Sequence, residues 1–264
     1  MTLKTIFALC AATAMALPAQ ETFTTLHSFD STDGANPGVV LIQATNGALY
    51  GTASSFGANG AGTVFKMTPG GTLTTVYNFC SESGCMDGVL PEAGLLQATS
   101  GDFYGTTNGG GLGYGTVFKI TPGGTLTTLY SFCSQSGCAD GANPFAGLVQ
   151  GANGDFYGTA RNGGANSGGT VFEITPTGRL TTMHKFCSQN DCTDGSNPLA
   201  ALVEATDGDL YDNQRRRDQR PWDGLQNHPE RHTHDAAQLR QDRRQRPRSC
   251  TGPGHRRELL RDNE

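Results

Sequence analysis

Short runs of alternating apolar and polar residues recur along the chain, separated by Gly, Pro, Asn and Asp. In one of them Thr116, Phe118 and Ile120 point one way and Val117, Lys119 and Thr121 the other, the two-residue period of a β-strand. Four such runs follow one another at residues 93–98, 102–107, 115–121 and 125–132. In the last, Leu126, Thr128 and Tyr130 are expected on one face, with Leu129 and Ser131 on the other. The first two runs join through Thr99-Ser100-Gly101-Asp102, with Asn46-Gly47, Asn153-Gly154 and Asp207-Gly208 as counterparts, which reads as a two-residue type I′ hairpin. The last two join through Thr121-Pro122-Gly123-Gly124, where Pro122 presets φ and Gly123 is expected to take the positive φ of a type II turn. Each group of runs is therefore an antiparallel four-stranded meander.

The group repeats. Residues 115–133 have near-copies at 62–80 and 169–187, and the Tyr of a shared Tyr-Gly-Thr element falls at Tyr50, Tyr104 and Tyr157, with Tyr211 in step. The period is about 53 residues, the mark of an array of supersecondary units. Both faces of each meander carry apolar side chains, so neighbouring sheets must stack. The predicted fold is all-β: an incomplete β-propeller-like array of four-stranded antiparallel meanders. The coils of a β-solenoid are shorter, and a trefoil stops at three repeats. Complete units cover 39–79, 93–132 and 146–186, a partial one covers 200–211, and a lone strand is expected at 22–29.

Lys4 followed by the apolar run 6–17 and small residues reads as a signal peptide over residues 1–19, so the chain is expected to be secreted. No stretch of 18 apolar residues exists to span a membrane as a helix. The 37 glycines among 264 residues, about twice ordinary usage, fit many strands linked by tight turns.

Export changes the reading of the cysteines. Cys80/Cys85, Cys133/Cys138 and Cys187/Cys192 each enclose four residues within one repeat and are expected as local disulfides. The first repeat has no such insertion, and no His pair stands near to make a zinc site. After each pair comes Asp-Gly-x-x-Pro, giving Asp33, Asp87, Asp140 and Asp194. One carboxylate per unit on a common rim would suit Ca²⁺ or a sugar, whereas Asp and Gly also simply make turns. Asp102, Asp155 and Asp209, just after hairpin turns, read as turn residues too. His27 and His184 stand where other units have Tyr77 and Tyr130, which marks a half-buried structural position. The glycine-rich loops 108–115 and 162–169 lack the phosphate-binding pattern, and no catalytic triad or paired-carboxylate motif stands out. No catalytic residue, metal site or cofactor is expected.

The ordered elements Leu-His-Ser-Phe-Asp, Asp-Gly-Ala-Asn-Pro, Asn-Gly-Asp-Phe-Tyr-Gly-Thr and Gly-Thr-Val-Phe-Lys-Ile-Thr-Pro resemble the GloVer tandem-repeat family of exported bacterial proteins over residues 22–211. The resemblance implies repeats, secretion and often a C-terminal surface anchor. It implies no reaction and transfers no catalytic residue.

Residues 20–211 thus form the β-repeat domain, and residues 212–264 differ in kind. They hold 13 arginines against 9 acids, a balance of +4, while the rest of the chain stands at −9. Such a tail would ordinarily suggest nucleic acid. Residues 219–229, back-translated with suitable codons and read one nucleotide out of step, instead give Asn-Gly-His-Gly-Thr-Val-Phe-Lys-Ile-Thr-Pro. Continuing to residue 264 restores further repeat elements in order. The tail is expected to be a frameshifted fourth repeat with the start of a fifth, disordered, with no nucleic-acid role.

Taken together, the residues point to an exported non-enzymatic scaffold or binding module, with extracellular carbohydrate or protein as the partner classes in view. The alternative is an extracellular propeller enzyme, a polysaccharide lyase or hydrolase, using the rim Asp residues with His27 or His184. A third reading is that the frameshift leaves this product without a function.

Overall fold

The computed structural model describes residues 24–38, 40–205 and 210–211. Residues 1–19, expected as a signal peptide, Asp207, Asp209 and the tail 212–264, expected to be frameshifted, lie outside them. Three consecutive sheets have four strands each, in the order of the chain. The first is β1 (Ile42–Gln43), β2 (Leu49–Ala53), β3 (Thr63–Met67) and β4 (Leu73–Asn78). The second is β5 (Leu96–Gln97), β6 (Phe103–Thr107), β7 (Thr116–Ile120) and β8 (Leu126–Ser131), and the third β9 (Val149–Gln150), β10 (Phe156–Ala160), β11 (Thr170–Ile174) and β12 (Leu180–Lys185). A two-stranded sheet, β13 (Val203–Glu204) with β14 (Leu210–Tyr211), begins a fourth unit. Every pairing between these strands is antiparallel. The chain is an all-β, propeller-like array of meanders.

The sheets stack because their strands carry apolar side chains on both faces. One cluster joins Tyr50, Val64 and Phe79 of the first unit to Phe103, Phe118 and Ile120 of the second. The next joins Tyr104, Val117 and Phe132 to Phe156, Phe172 and Ile174. A third joins Tyr157, Val171 and Phe186 to Leu202 and Leu210. Aromatic pairs set the spacing. Tyr50 lies 4.2 Å from Phe103 and Tyr104 4.0 Å from Phe156, while Phe79–Phe118 and Phe132–Phe172 meet edge-on, each at 5.2 Å. Such pairs contribute about 0.5–1.5 kcal/mol each beyond their buried area.

Three local features depart from the expectations. Gly101 N–H bonds to Ala98 O and Ala98 N–H to Asp102 O, with positive φ at Gly101 and not at Ser100. The hairpin is thus a three-residue loop, a type I turn closed by glycine in a G1 bulge, and not a type I′ turn. Asn46 makes it attractive in the first unit, since its side-chain oxygen accepts from Ala48 N–H and fixes the turn locally. The proline turn follows the same plan. Its positive φ is at Gly124 (+93°), not at Gly123, and the third unit has Thr177 where Gly123 stands, with Gly178 at +91°. Finally, Val117 pairs with Tyr130 but Phe118 with Thr128, so Leu129 is bulged. The bulge puts Tyr130 on the face of Val117, opposite to Leu126 and Thr128, whereas strict alternation had kept these three together. Residues 24–29 of the expected lone strand form no strand and have no strand partner among the described residues.

Candidate functional site

The three cysteine pairs form disulfides, Cys80–Cys85, Cys133–Cys138 and Cys187–Cys192, each closing a short loop just after the fourth strand of its unit. At the end of each loop sits the repeated aspartate. Asp87 and Asp140 are fully buried, and their carboxylates do the same task. Oδ2 of Asp140 accepts from the Tyr130 hydroxyl at 2.7 Å and from both the N–H and the hydroxyl of Ser134 at 3.0 Å, and Oδ1 accepts from Gln135 N–H. Asp87 repeats this with Tyr77, Ser81 and Glu82. Burial, reinforced by the neighbouring carboxylate, pushes the Tyr77 and Tyr130 hydroxyls up to about 12.

Histidine substitutes for tyrosine where the sequence predicted. His27 Nε2 lies 2.6 Å from Asp33 Oδ2, and His184 Nε2 lies 3.9 Å from Asp194 Oδ2. Burial would raise the Asp194 carboxyl, but hydrogen bonds from the Ser188 hydroxyl and N–H outweigh it and hold the group below its ordinary value. The four aspartates are therefore engaged separately, each by its own loop. Among the described residues no group of three or more His, Cys, Asp or Glu is arranged to hold a metal ion.

The structure does gather other residues. A groove of about 870 Å³ runs past β1 and the segments 91–95 and 145–148 that lead into β5 and β9. None of the four aspartates and neither histidine lines it. Its wall is built by contacts between successive units. Thr52 donates its hydroxyl to Ala93 O and Thr106 to Ala146 O, both buried. Gln97 Oε1 accepts from Thr45 N–H of the preceding unit while its Nε2 donates to Gly101 O in its own hairpin. Gln150 repeats both contacts, and Glu204 accepts from Ala152 N–H.

On this wall one position differs in every unit. The residue after the Asp-Gly-x-x-Pro proline is Gly38, Glu92, Phe145 or Leu199, and all four line the groove. Glu92 is held by Asn108, whose side-chain amide donates to its Oε2. Sequence reasoning missed this site. The signal was available as a position that differs in every unit while its neighbours repeat.

No functionally curated protein matches the chain. Among solved structures, a provisionally assigned gluconolactonase is similar at 16% identity and a TM-score of 0.41, over 67% of this chain and 55% of that one. A luciferin-regenerating enzyme is similar at 10% identity and a TM-score of 0.42, over 66% and 52%. A provisionally assigned 6-phosphogluconolactonase from Bacteroides uniformis is similar at 15% identity and a TM-score of 0.40, over 65% and 47%. The chain thus spans about half the length of these proteins, and the likeness at this level assigns no activity. The Gloeobacter/Verrucomicrobia repeat model matches residues 10–220, taking in all three complete units and the start of the fourth. The chain belongs to the Gloeobacter/Verrucomicrobia repeat family.

Proposed function

We propose that the chain is an exported, non-enzymatic binding module that recognises its ligand in the groove formed by β1 and the segments leading into β5 and β9. The observation that carries the non-enzymatic reading is the separate engagement of the repeated carboxylates. Asp87 and Asp140 each accept four hydrogen bonds from their own turn or from the tyrosine that precedes it. An acid–base pair needs a group within reach of a substrate, and these carboxylates point into their own loops. Binding is supported by the groove itself. A repeat array keeps its architecture through residues that recur and gains specificity through those that do not. Glu92, Phe145 and Leu199 supply one acceptor and two apolar surfaces on one wall, a combination suited to an extracellular sugar or peptide. Export is proposed from the charge and hydropathy pattern of residues 1–19, and the three disulfides are in keeping with it.

The test is a screen of the intact chain against immobilised glycans and peptides, repeated with Glu92→Gln and Phe145→Ala. Binding that falls at least about tenfold in either variant, at unchanged melting temperature, supports the groove. Ligands retained equally by both variants place recognition elsewhere. Turnover of any screened glycan by the wild type would overturn the non-enzymatic reading.

A further inference from the structure

Residues 24–29 repeat the fourth strand of a unit. Thr24-Thr25-Leu26-His27-Ser28-Phe29 matches Thr74-Thr75-Val76-Tyr77-Asn78-Phe79 and Thr127-Thr128-Leu129-Tyr130-Ser131-Phe132 position by position in size and polarity. They also lie where a fourth strand lies. Phe29 meets Phe65 at 5.1 Å and 70°, as Phe79 meets Phe118 at 5.2 Å and 68°. A Cβ on Gly71 would strike Leu26 O, as one on Gly124 would strike Val76 O and one on Gly178 would strike Leu129 O. Thr63 donates its hydroxyl to Asp33 O, as Thr170 does to Asp140 O. The segment therefore packs on the first unit as the outer strand of a preceding unit would.

The segment does not have the rest of that unit among the described residues. Among the described residues the backbone of Thr24–Phe29 makes no hydrogen bond, whereas Phe79, Phe132 and Phe186 N–H bond to Gly62, Gly115 and Gly169 O at the start of the third strand. The inner part of the same face is bare. Leu41 is 39% exposed, while its counterparts Leu95 and Leu148 are 8% and 7% exposed under a preceding unit. Gln43 likewise lacks the turn N–H that Gln97 and Gln150 accept from their predecessors.

We propose that residues 24–29 are a docking strand for a sheet of this same repeat that supplies three inner strands and ends at its third. The occupant is specified by the three internal examples. Its edge strand carries the Thr-Val-Phe-Lys-Ile pattern of β7, since that pattern pairs with the fourth strand in each unit. The register follows from β3 and β4. Thr of the incoming strand lies opposite Ser28, Val opposite His27, Phe opposite Thr25 and Lys opposite Thr24, with Leu26 bulged as Val76 is. Edge pairing supplies the hydrogen bonds, and the first strand of the incoming sheet covers Leu41 and places its turn N–H against Gln43.

The test uses the full chain and a synthetic peptide of residues 95–121, which carries β5, β6 and β7. Hydrogen exchange is followed with and without peptide. The expected result is that amides of residues 25–29 exchange fast alone and slow at least about tenfold with peptide, while those of β8 and β12 are unchanged. A peptide carrying Val117→Pro, which removes an edge donor, is expected to have no effect. Amides of residues 25–29 already as protected as those of β4 without peptide would overturn the proposal. So would peptide binding that protects β8 or β12 instead, or equal protection by the proline peptide.

Discussion

Tyr130 donates its hydroxyl to Asp140 across ten residues of chain, and the bulge at Leu129 is what makes this geometry possible. Without the extra residue the ring would sit on the opposite face of the sheet from Val117, away from the loop. The same pair recurs as Tyr77 and Asp87, and with histidine as His27 and Asp33. Asp140→Asn keeps the shape but loses the charge that strengthens these hydrogen bonds, and turns a donor, the amide NH2, towards donors. It is expected to destabilise the chain by about 1–3 kcal/mol in urea unfolding. A loss below about 0.5 kcal/mol would show that the buried carboxylate does not hold the loop.

The tyrosines predict an alkaline transition. In the folded chain Tyr77 and Tyr130 stay protonated to about 12, two units above the ordinary 10. Between these limits the folded state holds protons that the unfolded state has released, so stability is full below pH 10 and falls as pH rises towards 12. The melting temperature should drop across this window. Tyr77→Phe with Tyr130→Phe should lower the plateau at neutral pH and flatten the drop. An unchanged slope in the double variant would assign the transition to other groups.

Leu90 occupies the left-handed region, at φ +57°, where Asn36, Asn143 and Asn197 stand in the other units at +56°, +53° and +54°. Asn is tolerated there and its side chain bonds neighbouring turns, as Asn143 does to Asn108 O, whereas Leu carries a steric cost of about 1–2 kcal/mol. Leu90→Asn should therefore stabilise the chain by about 1 kcal/mol, read as a higher urea midpoint with an unchanged slope. A lower midpoint would mean that the Leu90 side chain contributes packing that outweighs the strain.

Each disulfide closes a loop of six residues counting the cysteines, worth about 2 kcal/mol on the chain-entropy view. Mass spectrometry of the chain expressed with export and digested without reductant should find Cys80–Cys85, Cys133–Cys138 and Cys187–Cys192. Free thiols at these positions would contradict the assignment. Reduction should lower the melting temperature while the sheets persist in far-ultraviolet circular dichroism.

Apolar surface is exposed at both ends of the array, with Leu41 at 39% on the first unit and Val203 at 64% on the last. The two ends are halves of one repeated interface, so they complement each other between molecules head to tail. Light scattering should show mass rising with concentration, and Leu41→Ser should reduce it. A monodisperse monomer at all concentrations would show that these ends are covered.

The sequence by itself determined the period, the four strands of each unit, the stacking of both sheet faces and the three disulfides. Those follow from local alternation and from a unit spelled three times, and chemistry confined to six neighbouring residues needs no long-range information. It also placed His27 and His184 correctly, because each stands in register with a tyrosine. The turn types, the face of Tyr130 and the groove were decided by the tertiary structure. A G1 bulge and a type I′ turn share the same Asn-Gly letters; in the separate proline turn, Thr177 of the third unit already spoke against positive φ where Gly123 stands. The bulge at Leu129 arises from pairing with β7, which a single strand does not show. The repeated aspartates read as turn residues, with a shared rim as the other possibility, because sequence shows recurrence but not direction; in three dimensions each turns into its own loop. Gly38, Glu92, Phe145 and Leu199 meet on one wall only because successive units lay the segments leading into their first strands side by side.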